Sequence, residues 1–98
     1  MQKGMSDTQA RVHLLISGLV QMVGFRYFVE RKARQYGLTG FTRNLPDDRV
    51  EVEAEGERGM LEELVKDCRA GPPASRVTDV KIEWKPFQAE FQQFVIDF

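Results

Sequence analysis

Between Gly18 and Arg26 the chain reads Gly18-Leu19-Val20-Gln21-Met22-Val23-Gly24-Phe25-Arg26, a glycine-bounded segment leading into residues of helical spacing. A loop that feeds a helix start presents backbone N–H groups with no partner inside the helix, together with the positive end of its dipole. Phosphate or carboxylate is the natural ligand of such a place. Arg26 falls in the first turn, where the dipole disfavours a cation by about 0.3–1 kcal/mol, and a bound anion would offset that repulsion. Solvated arginines also occur at helix starts, so spacing alone leaves an anion site and a plain surface charge both open. Asn44 ends the run Gly40-Phe41-Thr42-Arg43-Asn44 just ahead of Pro46-Asp47-Asp48. That is an ordinary place for an amide that caps local backbone groups.

Other chemistry is scarce. The 98 residues hold one His (His13) and one Cys (Cys68), too few for a Cys/His zinc site or a disulfide within the chain. No metal site and no cofactor is expected. Cys68 falls in the apolar spacing of a helix and reads as a buried small hydrophobe. Fourteen Lys+Arg against fifteen Asp+Glu give a net charge of −1, so there is no global positive field to draw in nucleic acid or an anionic membrane. Any anion site must be local. The uncharged stretch from Val12 to Phe25 is shorter than the roughly 18–20 residues a spanning helix needs. Residues 1–9 carry no apolar core, so a flexible terminus is expected rather than a secretory signal, and the cytoplasm is the expected compartment.

The elements that position Arg26 and Asn44 follow from periodicity. Val12, Leu14 and Ile16 alternate with His13, Leu15 and Ser17, which predicts a strand that Gly18 ends. Phe25, Phe28, Val29, Ala33 and Tyr36 recur at helical spacing, and Gly37 is placed as the C-terminal cap. Thr39 to Asn44 predicts a second strand, Leu45 to Asp48 a turn, and Val50 to Glu55 a third strand ended by Gly56. In that strand Val50, Val52 and Ala54 face one way and Glu51, Glu53 and Glu55 the other, predicting one dry face and one solvated face. Met60, Leu61, Leu64, Val65 and Cys68 mark a second helix closed by Gly71-Pro72-Pro73. A fourth strand runs from Thr78 through Trp84, and Phe94, Ile96 and Phe98 form a short apolar-alternating end. Phe25, Phe28, Phe41 and Trp84 are expected in the core, and His13 is expected to be structural. With right-handed crossovers, this βαββαβ order predicts a ferredoxin-like α+β sandwich over residues 10–98, an antiparallel sheet with two helices packed on one face.

Two separated motifs on this framework resemble those of the acylphosphatases, and the resemblance covers roughly Arg11 to Phe98. One motif is Ile16 to Arg26; the other is Gly40-Phe41-Thr42-Arg43-Asn44, followed by Asp47, Val50-Glu51 and Gly56. The stretch Gly71-Pro72-Pro73-Ala74-Ser75-Arg76-Val77 also looks like the family's link into the fourth strand. The resemblance implies a metal-free hydrolase that splits acyl phosphates to carboxylate and inorganic phosphate. It implies that Arg26 binds the phosphate and that Asn44 positions the attacking water. Backbone N–H groups of Leu19, Val20, Gln21, Met22, Val23 and Gly24 would form the phosphate cradle; the Gln21 side chain is given no part in catalysis. Met22 and Asp48 stand where the family commonly has glycine. At Met22 a positive φ would cost about 1–2 kcal/mol.

Rival readings are weaker. RNA-binding modules share the strand and helix order but place basic and aromatic residues on the outward face of the third strand, where this chain has Glu51, Glu53 and Glu55. The alternative carried forward is a non-catalytic module of the same fold that binds a small anion or a partner. A pure anion binder needs Arg26 but has no use for a water-orienting amide. A monomer acting on a small acyl phosphate, with no nucleic acid or membrane partner, is expected.

Overall fold

The computed structural model describes residues 8–98, which form β1 (Gln9–Leu19), α1 (Phe25–Gln35), β2 (Thr39–Asn44), β3 (Val50–Glu57), α2 (Arg58–Ala70), β4 (Arg76–Lys85) and β5 (Phe94–Ile96). The β1 strand begins at Gln9, inside the segment expected to be flexible; residues 1–7 lie outside the described residues. One hydrophobic layer organises these elements. Val12, Leu14 and Ile16 of β1 and Val50, Val52 and Ala54 of β3 are wholly buried. Phe25, Val29 and Ala33 of α1 and Leu61, Leu64 and Cys68 of α2 complete the same cluster. Each Val, Leu, Ile or Phe removed from water contributes about 1.5–3 kcal/mol, so this layer is the main driving force for the fold.

The strand order is β4-β1-β3-β2-β5, and the first four strands pair antiparallel as expected. The ferredoxin-like sandwich is therefore present, with one correction. The sheet is mixed, because Phe94–Ile96 adds a fifth strand parallel to β2, with Gly40 opposite Phe94 and Thr42 opposite Ile96. Strand direction follows from connectivity. Lys85, the last residue of β4, pairs with Arg11 at the same end of the sheet where β2 begins. A chain that crosses along that end must then run up beside β2 in the same direction.

The crossing segment overturns a second expectation. Glu53 and Glu55 are not solvated; they are 4% and 1% exposed. Residues 86–93 close over them, and Glu55 accepts the N–H groups of Gln88 at 2.6 Å and Glu90 at 2.9 Å. Arg11 supplies the balancing charge, with Nε 2.6 Å from Glu53 and Nη1 2.6 Å from Glu90, while Lys85 Nζ adds a contact of 3.2 Å to Glu53. Alternation told which side of β3 each glutamate occupies, but a strap arriving from some thirty residues away buried that side. Phe41 belongs here too. It lies on the strap side, edge-on to Phe91 at 6.0 Å, and not in the core beneath the helices. Phe25 is buried in that core as expected, and Phe28 and Trp84 pack against it.

Further along the same face, His13 Nε2 lies 2.7 Å from Glu51 and Arg43 Nε donates to Glu51 at 2.6 Å. Burial pushes the Glu51 carboxyl up, but these two hydrogen bonds outweigh it and hold the group below its ordinary value. Its stabilising effect is thus present above the unfolded value of about 4.3 and is lost as the pH falls through the lower folded value. Melting temperature measured below about pH 4 should fall less steeply for Glu51→Gln than for the parent chain. Replacing Arg11 by Leu leaves Glu53 and Glu55 buried without their main cation. Urea unfolding should show a loss of about 3 kcal/mol, within the range for breaking a buried ion pair.

Candidate active site

Val50 of β3 pairs with Ile16 of β1 on one side and with Asn44 of β2 on the other. With neighbouring strands about 4.8 Å apart, Asn44 is held roughly 10 Å across the sheet from the point where β1 gives way to the loop. Both motifs therefore meet at one end of the sheet. Gly18 does not end β1, as expected from the sequence, but bends it. Its pairing with β4 shifts register between Ser17 and Gly18, and a Cβ at Gly18 would lie 2.1 Å from the carbonyl oxygen of Arg76. Only glycine lets the two backbones approach so closely.

The loop then turns through left-handed backbone at Met22 (φ 64°) and Gly24 (φ 78°). Gly24 is the N-cap of α1; no side chain caps this terminus, and no acidic residue lies in its first turn. The first amides of α1 are left for an external acceptor. They border a cleft of about 190 Å³ lined by Val20, Met22, Gly24, Phe25, Arg26, Tyr27 and Asn44. Arg26 and Asn44, far apart in sequence, thus share one cavity. Leu19 and Gln21, with Val20 and Met22, line a neighbouring depression of about 260 Å³ that also includes Asp48. Val23 packs toward the hydrophobic core.

Gln21 has a place that sequence reasoning missed. Its side-chain amide reaches the turn between β2 and β3, where Nε2 donates to the carbonyl oxygens of Leu45 and Arg49, both at 2.9 Å. Those residues also close the turn themselves, through a 2.8 Å bond from Leu45 N–H to the Arg49 carbonyl. One amide thereby ties the loop to the turn that follows Asn44. Its partners are main-chain atoms 24 and 28 positions away, which no local pattern signals. Within the turn, Asp47 pairs with Arg49 at 2.7 Å, and that contact holds the Asp47 carboxyl below the usual range. Asp48 takes the left-handed conformation (φ 75°) that its family position implies.

On the other side of Asn44, Arg43, Leu45, Pro46, Asp97 and Phe98 join it around a pocket of about 330 Å³. The Phe98 ring lies 4.9 Å from the Arg26 guanidinium carbon, a cation–π contact that restricts the arginine's rotamers. Arg43 is engaged by Glu51 rather than standing free. Cys68 is buried in the core, and its thiol is pushed up by that burial, so it supplies no reactive thiolate at the cleft. Among the described residues no three His, Cys, Asp or Glu side chains converge in the way a metal site requires. No helix among them is long and apolar enough to cross a membrane.

The likeness to known proteins extends over the same residues. The family model for acylphosphatase matches residues 12–96. An acylphosphatase from Chlorobaculum tepidum is 54% identical over 76 residues, which span 78% of this chain and 83% of that protein. The crystal structure of acylphosphatase from Bacillus subtilis superposes with a TM-score of 0.87 at 35% identity, covering 91% of this chain and 99% of the other. An acylphosphatase structure from Coxiella burnetii gives a TM-score of 0.89 at 31% identity, over 98% of this chain and all of the other. With Arg26 and Asn44 brought to one cleft at a helix start, and with a family model over residues 12–96 and both structural likenesses spanning nine-tenths of the chain or more, the protein belongs to the acylphosphatase family, hydrolases of the carboxyl–phosphate bond.

Proposed function

We propose that the cleft at the start of α1 holds the phosphoryl group of an acyl phosphate, with Arg26 and the backbone amides from Leu19 to Gly24 on its oxygens and Asn44 orienting the attacking water. The observation that carries this reading is that one cavity, at an uncapped helix N-terminus, is lined by both Arg26 and Asn44. Arg26 offers a planar fork suited to two phosphoryl oxygens, and charge-assisted hydrogen bonds contribute about 1.5–3 kcal/mol each. Water oxygen attacks phosphorus from the Asn44 side, the bond from phosphorus to the acyl oxygen breaks, and the electron pair leaves with the carboxylate.

The bond being cut explains why so few groups suffice. A carboxylate, whose conjugate acid has a pKa near about 4, departs without being protonated. No general acid is required. Asn44 hydrogen-bonds to water but takes no proton at neutral pH, so the water's proton passes to a phosphate oxygen of the substrate or to solvent. Positioning and charge stabilisation then supply the catalysis, as suits a loose phosphoryl-transfer transition state. In this mechanism the chain works without a metal, as a monomer in the cytoplasm.

Gln21 is a positioning residue in the same reading, since it fixes the loop against the turn next to Asn44. Three substitutions separate the roles, with benzoyl phosphate as substrate and inorganic phosphate as inhibitor. Arg26→Ala should lower kcat/KM by about a hundredfold or more and weaken phosphate inhibition. Asn44→Ala should lower kcat by about a hundredfold while phosphate still inhibits; near-normal turnover would remove the water-orienting role. Gln21→Ala should cost about 1–2 kcal/mol in stability, through two lost hydrogen bonds to carbonyls that each keep one main-chain donor, and should lower kcat more than it raises KM.

A further inference from the structure

Six large apolar side chains among the described residues are exposed, and four of them lie at or beside the cleft: Met22 and Tyr27 line it, Leu19 lines the adjoining depression and Phe98 the pocket beyond Asn44. Single apolar residues on a surface need no explanation, but a group of them at the mouth of a polar cavity marks a contact surface. Met22 is the most telling. It is 99% exposed, so its side chain gains almost no packing within the fold, and its φ of 64° penalises any residue that has a Cβ. Strained backbone of this kind gathers at ligand sites.

We propose that Leu19, Met22 and Tyr27 form an apolar lip that holds the acyl group of the substrate, so that the chain favours acyl phosphates with extended apolar acyl groups over short ones. This rests on the assignment of the phosphoryl group to the cleft. In-line displacement puts the leaving oxygen on the face of phosphorus opposite the attacking water. With the water at Asn44, the acyl group leaves on the side away from Asn44, and so away from the pocket of Arg43 and Phe98 that shares that residue. Asn44 is not among the residues of the depression that joins the cleft through Val20 and Met22, and Leu19 and Met22 supply that depression's large exposed apolar side chains. Tyr27 lines the cleft itself. Phe98 is thereby assigned to Arg26, whose guanidinium it faces, and not to the acyl group.

The test compares kcat/KM for acetyl, butanoyl and hexanoyl phosphate. One methylene moved wholly out of water is worth a factor of about four, and a lip covers only one side of the chain, so the parent should gain about three- to tenfold from acetyl to hexanoyl. Met22→Gln keeps a side chain of similar length but makes its end polar. Its hexanoyl-to-acetyl ratio should fall to less than about twofold, with Tyr27→Gln moving the same way. The ratio cancels any change in the cradle that affects both substrates, and circular dichroism checks that each variant is folded. A flat series in the parent, or a ratio unchanged in both variants, overturns the lip. Failure of the underlying site is separately visible: Arg26→Ala hydrolysing acetyl phosphate as fast as the parent would move the phosphoryl group out of the cleft, whatever the series shows.

Discussion

The site depends on the register of the central strand. Val50 opposes Ile16 on one flank of β3 and Asn44 on the other, so a single residue level across three strands carries the base of the loop and Asn44. A slip of one residue would turn Val50, Val52 and Ala54 out of the core and bring Glu51 and Glu53 in. The hydrophobic layer thus specifies the register, and the register specifies the distance between the two motifs. Gln21 works within that frame, joining loop and turn where the strands can no longer hold them.

At the opposite end of the sheet, a different interaction settles the path of the chain after β4. Arg11 gathers Glu53 and Glu90, and Glu55 takes two backbone amides of the crossing segment. Buried ions of this kind are costly to desolvate and are retained only when every lone pair is answered. Here the described residues leave no buried side-chain polar atom without a partner. The strap delivers β5 beside β2 in the parallel sense, and the residues after β5 return to the cleft, where Phe98 meets Arg26. A charge cluster on one end of the sheet is in this way linked to the surroundings of Arg26 at the other.

The balance of groups at the cleft fits one kind of bond. Positive potential is concentrated at a helix start with no capping side chain, in a chain whose overall charge is −1. In the proposed reaction, a leaving group that needs no proton would make an acid dispensable, and a phosphoryl group with its own oxygens would make a base dispensable as well. Met22 belongs to the same economy of parts. Its backbone makes a left-handed turn in the loop, while its side chain faces solvent at the mouth.

Period and punctuation in the residues were sufficient for both helices, the four longer strands, the βαββαβ order and the two motifs, because these rest on contacts within a turn or a strand. Spacing alone left Arg26 and Asn44 each with a plain structural reading; the resemblance of the two motifs singled them out, and the fold brings both to one cleft. The burial of Glu53 and Glu55, the parallel sense of β5 and the place of Phe41 were not legible, since each depends on a segment some thirty or more residues away. Periodicity shows that two faces of a strand differ, but not what will come to cover the polar one. The amide of Gln21 is the clearest instance: a glutamine in a loop has no local signature of its partners, and only folding brings the two carbonyls of a distant turn within 2.9 Å of it.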